Sequence, residues 1–246
     1  LEVPTTLDEL REVAGLSRAF PGQMVAVCHV LRHSPFFERL RQIIASGQFG
    51  PVVSIQHNEN IGYYHFAHSY VRGPWNNEQT SGPLTLTKSC HDMDILLYLL
   101  GGASCQSIAS VGGLSVFRRE RYDPDTMAPM CVDCPQKDAC AYSAPRLYGS
   151  GKIRSVVFDL SSVDKVRKSL GNSPYGRCVY ACDNNVADHQ ATAIRFDNGV
   201  TATFNLSAFT AKVNRSLKVM CQFGELRAIE KPYLIETTDF RTDETN

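Results

Sequence analysis

The chain has 246 residues, 43% of them apolar and 20% charged, and a formal net charge of zero. That balance gives no support for binding to nucleic acid or an acidic membrane surface, both of which want a basic excess. No apolar run approaches the roughly 20 residues of a membrane span. The N-terminus also lacks the basic and apolar regions of a signal peptide, and the length can bury a substantial core in one domain or two.

The two ends look cut: Leu1-Glu2-Val3-Pro4 carries no initiator Met, and Asp239 to Asn246 trails off without completing a folded pattern. Thr5 or Thr6 caps a helix whose first turn holds Asp8 and Glu9, and Leu7, Leu10, Val13, Ala14 and Leu16 keep a helical period to about Phe20. After Pro21-Gly22, Met24 to Leu31 is a continuous apolar run that predicts a strand buried on both faces, as in a parallel sheet. Ser34-Pro35 starts a second helix that carries Phe36, Phe37, Leu40, Ile43 and Ile44 inward and stops at Gly47. Helix, two-sided strand and helix resemble the end of a doubly wound layer.

Val52 to Ile61 alternates as a half-buried strand, and residues 62–77 then read as a loop crowded with aromatic and basic side chains. His65, His68, Arg72 and Trp75 in that loop suit a pocket wall that stacks on and hydrogen-bonds a polar, sugar-like ligand; a surface loop with half-buried aromatics is the other reading. Lys88, His91 and Asp92 crowd the start of an apolar helix closed by Gly101-Gly102. The helical period sets Lys88, His91, Asp92 and Ile95 on one face, with Met93, Leu96, Leu97 and Leu100 facing a core. Such a cluster is either a site or a self-neutralising turn in which Lys88 pairs with Asp92.

Cys105 to Phe117 predicts a strand interrupted at Gly112-Gly113. Residues 118–175 lack periodicity and read as an insertion on the sheet's edge, with a helix from Ser161 or Ser162 to Leu170. Ala191 to Phe196 and Val200 to Phe209 flank Asn198-Gly199 as a hairpin with a type I′ turn. Arg215 to Gln222, Leu226 to Glu230 and Tyr233 to Thr237 are three further strands. The fold class is α+β: a remnant of a parallel α/β layer, then a large, predominantly antiparallel open sheet with helices on one face.

Among nine cysteines, Cys28, Cys90, Cys105 and Cys221 sit in apolar runs and read as buried reduced thiols, which points to the cytoplasm. Cys131-x2-Cys134, then Cys140, with Cys178 and Cys182 beyond, can form a tetrahedral thiolate cage for structural zinc, the candidate ligands being Cys131, Cys134, Cys140 and Cys178. Reduced unligated thiols and a disulfide are the alternatives.

Several stretches together resemble the glucose–fructose oxidoreductase / inositol dehydrogenase / rhizopine-catabolism (Gfo/Idh/MocA) family: His29 to Phe37, Ile43 to Gly50 leading into Val52-Val53, His91 to Leu96 ending at Gly101, Phe196 to Gly199, and Phe223 to Leu226. Tyr64 to Ser69 with Arg72-Gly73, Lys88 to His91, and the Cys-x2-Cys insert resemble one subgroup. The resemblance implies residues 1–49 as the last part of a dinucleotide-binding Rossmann domain and 50–246 as the sheet domain that lines the substrate pocket.

It implies NAD or NADP as cofactor, a sugar, inositol or similar polyol as the small-molecule substrate, and a homo-oligomer formed through the sheet. His91 corresponds to the family's proton-transferring His, with Lys88 and Asp92 beside it and His65, His68, Arg72, Trp75 and Arg32 toward the substrate. Thr87 stands where the family has Asp, the Gly-rich turn G-x-G-x-x-G is absent, and Glu2-Val3-Pro4 is the nearest string to the family's Glu-Lys-Pro. A glycosidase working by transient NAD-linked oxidation, or a non-catalytic oligomerisation or carbohydrate-binding module, are the alternatives within that fold.

Overall fold

A computed structural model describes residues 4, 6–151, 153, 159 and 161–246. Glu2, Val3 and Thr5, with the Glu-Lys-Pro comparison that rests on the first two, lie outside them. Helix α1 (Leu7–Ala19) opens on a capping box in which Thr6 accepts from the Glu9 amide and Glu9 accepts from the Thr6 amide. It buries no residue. Met24 to His29 is not the expected strand: the segment is irregular, Met24 is 94% exposed, and Val25 and Val27 are exposed too. A strand exists only when paired, and none of the described strands lies beside this segment. A 3-10 turn, Val30–His33, leads into α2 (Pro35–Ala45), which has Pro35 in its first turn and buries Phe36, Phe37 and Leu40.

The core of the molecule is an eight-stranded sheet. Its strands are β1 (Val52–Asn60), β2 (Cys105–Gly113), β3 (His189–Phe196), β4 (Thr201–Ser207), β5 (Asn214–Cys221), β6 (Gly224–Ile229), β7 (Leu234–Asp239) and β8 (Glu244–Thr245), in spatial order β2-β3-β4-β1-β5-β6-β7-β8. Only β1 and β4 run parallel. The tail therefore folds after all, as a hairpin of β7 and β8. The β3–β4 turn is not type I′: of Asn198 and Gly199 only the glycine has positive φ, at +86°. The Gly199 amide donates to Phe196 O at 3.1 Å and the Phe196 amide to Val200 O at 2.9 Å, a three-residue loop with its glycine in the left-handed region. Gly224 answers a different demand, since a Cβ there would lie 2.4 Å from the Phe49 ring.

One face of the sheet is covered by α2 and by α6 (Cys90–Leu99), whose Ile95, Leu96 and Leu99 pack on Ile55, Ile194, Ala202 and Val219. On the other face Gln56, Ala191, Ala193, Thr201, Thr203 and Asn205 are open or half-open to solvent. The aromatic segment after β1 is helical rather than a loop. Gly62, at φ +82°, turns the chain into α3 (Tyr63–Phe66), which widens into a π turn over Ala67–Arg72. Phe66, Tyr70 and Val71 join Phe117, Leu147, Val179 and Phe204 in a second core, which outweighs the polar character of the neighbouring residues. Two short helices, α4 (Glu78–Ser81) and α5 (Leu84–Thr87), connect to α6.

The insertion builds its own small core from Val132, Ala144, Tyr148, Val166 and Leu170, using α7 (Ala144–Gly149) and α8 (Val163–Gly171). Ser162, one of the two starts that the sequence offers, caps α8 by accepting from the Lys165 amide. Of the cysteines expected to be buried, Cys221 is, Cys90 is half-buried, and Cys28 and Cys105 are exposed because neither the first segment nor the edge strand β2 is covered. Among the described residues no helix is long and apolar enough to cross a membrane.

Candidate active site

Beneath the site lies a row of ionic groups. The buried residues of β1 alternate as Ile55, His57 and Glu59, so all three face the helix layer. The β4–β1–β5 register sets Leu206, Glu59 and Arg215 side by side, next to a row of Phe204, His57 and Leu217. Arg215 Nε lies 2.8 Å from both Glu59 Oε2 and Asp92 Oδ1, and its Nη1 is 3.3 Å from Glu230 Oε2. His57 Nε2 is 2.7 Å from Asp92 Oδ1, and its ring stacks on Phe204. Burial pushes the Glu59 carboxyl above its ordinary value, against the pull of Arg215 and Lys88. Burial would raise Asp92 too, but the His57 hydrogen bond and the Arg215 charge hold it below the usual carboxylate value.

The expected face of the Lys88–Leu100 helix is corrected by this arrangement. Lys88, at φ −135° and ψ −58°, interrupts the helix between α5 and α6, so it does not share a helical face with His91. Asp92 and Ile95 are fully buried with Leu96 and Leu99, whereas Leu97 is exposed. The Lys88–Asp92 pair is not what forms: Lys88 Nζ instead reaches Glu59 Oε1 at 3.0 Å. The buried charges of the sheet thus decide which way the helix turns, a signal that helix periodicity does not contain.

His91 stands half-buried at the start of α6, its ring edge-on to His29 with centroids 5.9 Å apart. Burial, then Arg215 and His29, hold it below the ordinary imidazole value, so it is a neutral base at pH 7. His65 is lowered to about 4, first by burial and then by Lys88, with His68 and Lys231 adding to it. The Lys88 charge thus lowers both His65 and His91, and the Lys88 ammonium is held by Glu59; these residues are the candidate centre.

The other predicted residues have found partners. Arg32 forks onto Asp94 at 2.8 and 2.6 Å and lies over the Tyr98 ring, tying the 3-10 turn to α6. Arg72 is buried and donates to Arg177 O and Tyr142 O, both at 2.7 Å, so it clamps the insertion to the π turn. His68 stacks on Tyr175 and lies 3.1 Å from Tyr148 Oη. Trp75 is nearly half-exposed beside Tyr70. Glu59, Arg215, Glu230, His57 and His29 were not singled out by sequence. The available signal was His57 and Glu59 at inward positions of an alternating strand, where a polar side chain must have a partner.

Cys131, Cys134, Cys140 and Cys178 do line one small cavity, of about 30 Å³. Yet among the described residues no group of three or more His, Cys, Asp or Glu side chains is arranged to hold a metal ion, so the zinc cage is not supported. Cys131 Sγ is engaged at 3.5 Å with both Arg72 Nη2 and Arg177 O, and Cys182 Sγ donates to Cys178 O. The insertion is held instead by its apolar core and by backbone bonds such as Cys131 N to Gly176 O and Cys178 N to Pro129 O, both 2.8 Å. Two results are expected. A thiol reagent should react promptly with Cys28 and Cys105 in the native chain, and with all nine cysteines only on unfolding. A chelator should leave the unfolding midpoint unchanged, and a drop on chelation would restore the metal.

The profile of the family described as "Oxidoreductase family, C-terminal alpha/beta domain" (Gfo/Idh/MocA) matches residues 41–220. The chain belongs to this family. YteT of Bacillus subtilis, which bears the name of an oxidoreductase, is 25% identical over 206 residues, covering 82% of this chain and 47% of that protein. The fold is similar to an NAD binding oxidoreductase from Klebsiella pneumoniae, with TM-score 0.60, 14% identity, and coverage of 98% of this chain and 50% of the other. It is also similar to UDP-N-acetylglucosamine 3-dehydrogenase GnnA from Acidithiobacillus ferrooxidans, with TM-score 0.54, 14% identity, and coverage of 100% and 54%. The chain spans about half the length of these relatives.

Proposed function

We propose that this chain is the substrate-facing part of an NAD(P)-dependent oxidoreductase that acts on a hydroxyl group of a sugar, inositol or similar polyol. In this reading residues 1–49 belong with a dinucleotide-binding domain and residues 50–246 are the substrate domain. The observations that support it are the family match and a half-buried His91 at the head of α6 beside an ionic row that ties Lys88 to Glu59 and Asp92 to Arg215. The dehydrogenase name of one structural neighbour, with a sugar nucleotide as its substrate, supports the substrate class.

His91, uncharged at neutral pH, accepts the proton of the substrate hydroxyl as that carbon is oxidised, and returns it in the reverse direction. The Lys88 ammonium, held by Glu59, hydrogen-bonds the same oxygen and stabilises the negative charge that develops on it. His65, its imidazole kept neutral, orients a neighbouring hydroxyl. NAD(P) needs a phosphate cradle, and the residues here do not fit one, since the sequence holds no G-x-G-x-x-G string and among the described residues no Gly-rich turn leads into a helix. This chain alone is therefore expected to give no saturable heat with micromolar NAD or NADP in calorimetry, and a clear micromolar isotherm would overturn that.

The function is tested by assaying the full-length protein with NAD and NADP against a panel of sugars and inositols, alongside aryl glycosides. Reduction of the nicotinamide by a panel member supports the dehydrogenase. Aglycone release without net reduction would move the reading to a glycosidase of the same fold. No turnover with either set would favour the non-catalytic module.

A further inference from the structure

The candidate site holds two groups that family resemblance does not assign: Glu59 and Arg215. Thr87, next to Lys88, donates its hydroxyl back to Pro83 O at 3.3 Å within its own helical turn. A carboxylate reaches Lys88 from another element. Glu59, 1% exposed at the end of β1, lies 3.0 Å from Lys88 Nζ through one oxygen and 2.8 Å from Arg215 Nε through the other. Arg215 continues to Asp92, the residue after His91, and Asp92 to His57. The chain of contacts runs from Lys88 to the base of His91 without leaving the protein.

We propose that Glu59 and Arg215 are positioning residues: Glu59 holds Lys88 from β1 and Arg215 holds Asp92 beside His91, so that Lys88 and His91 are fixed relative to one another.

Three observations support a task beyond stability. A buried ionic row of this kind contributes little net stability compared with apolar side chains of similar volume, because each charge must be desolvated. Glu59 already has Arg215 as a partner, yet Lys88 leaves the helical conformation, reaches the other Glu59 oxygen and stays 15% exposed. Three carboxylates, Glu59, Asp92 and Glu230, share Arg215, with Lys88 on Glu59 and His57 on Asp92 as their further partners. The groups that act on His91 are Arg215 from β5, His29 from the first segment, and Asp92 and Lys88 from its own region; those that act on His65 are Lys88, His68 and Lys231.

The inference rests on the oxidoreductase reading for its purpose, but its test needs no turnover and stands or falls separately. In Glu59→Gln the cations Lys88 and Arg215 lose an opposing charge. The His91 and His65 imidazole signals in NMR titrations of this chain should then move down by about one pH unit. In the same sample Lys88 should be acylated by an amine-reactive ester about tenfold faster, read by mass spectrometry against the exposed Lys168 and Lys212. Glu59→Asp, which keeps the charge, should restore much of both. A folded E59Q protein with unmoved imidazole titrations and unmoved Lys88 labelling would reduce Glu59 to a structural role. If E59Q does not fold, Lys88→Met at the row's open end gives the second reading. It should raise both imidazole titrations, and unmoved titrations there overturn the proposal.

Discussion

Replacing Arg215 with methionine is expected to lower the stability of the chain by about 3–5 kcal/mol at pH 7. Arg215 is the cation shared by Glu59, Asp92 and Glu230, and without it these buried carboxylates face only Lys88 and His57. At roughly 2–4 °C per kcal/mol for a domain of this size, the thermal midpoint should fall by about 6–20 °C, measured by circular dichroism. The deficit should shrink as the pH is lowered toward 5, because protonation relieves unpaired carboxylates. A midpoint within about 2 °C of the parent protein would mean that the row is not a unit of stability.

In the parent protein the two carboxyls act with opposite sign. Asp92 is held below its ordinary 3.8, so its contribution is present above that value and is lost as the pH falls through its lower folded value. Glu59 is raised above its ordinary 4.5, so its contribution is full below that value and is lost as the pH rises through its folded value. Urea unfolding across pH 3–7 in Asp92→Asn should therefore show a flatter acid limb than in the parent chain.

In the full-length protein, His91→Asn is expected to lower kcat by about 10²–10⁴-fold, the range for losing a general base, with KM changed only a few-fold. Because burial, Arg215 and His29 depress the His91 titration, the dehydrogenase activity proposed for the full-length protein should persist to a pH below the ordinary imidazole value of 6.5 and be lost below that pH. That limb should vanish in the variant. Steady-state rates across pH check both, and a variant that keeps parent kcat removes His91 from the chemistry.

Much of the sheet domain is written in local patterns. Alternation marks β1 in the sequence, and burial alternates in the same way along β3, β4 and β5, because one face of each meets helices while the other is open or half-open to solvent. The Ser34-Pro35 start and the Ser162 cap mark α2 and α8 for equally local reasons. The order of the short motifs from His29 to Leu226 was enough to point to the family, and the match over residues 41–220 agrees. The place of His91 at the head of an apolar helix is likewise read from the sequence.

Where local pattern and long-range partners disagree, the partners decide. Met24 to Leu31 has a strand's composition, but a strand needs neighbours to take its amides, and the described sheet does not extend to it. The segment after Gly62 is polar and aromatic enough to read as a loop, yet Phe66 and Tyr70 have a core to enter and the backbone coils to deliver them. The cysteine spacing suggests a cage, but Arg72, 59 residues from Cys131, holds that sulfur in another network. At the site, the sequence by itself determined that Lys88, His91 and Asp92 cluster at a helix start. Only the tertiary structure decided that Asp92 turns inward to Arg215 and Lys88 to Glu59, because a buried charge must take its partner from whatever strand the register sets beside it.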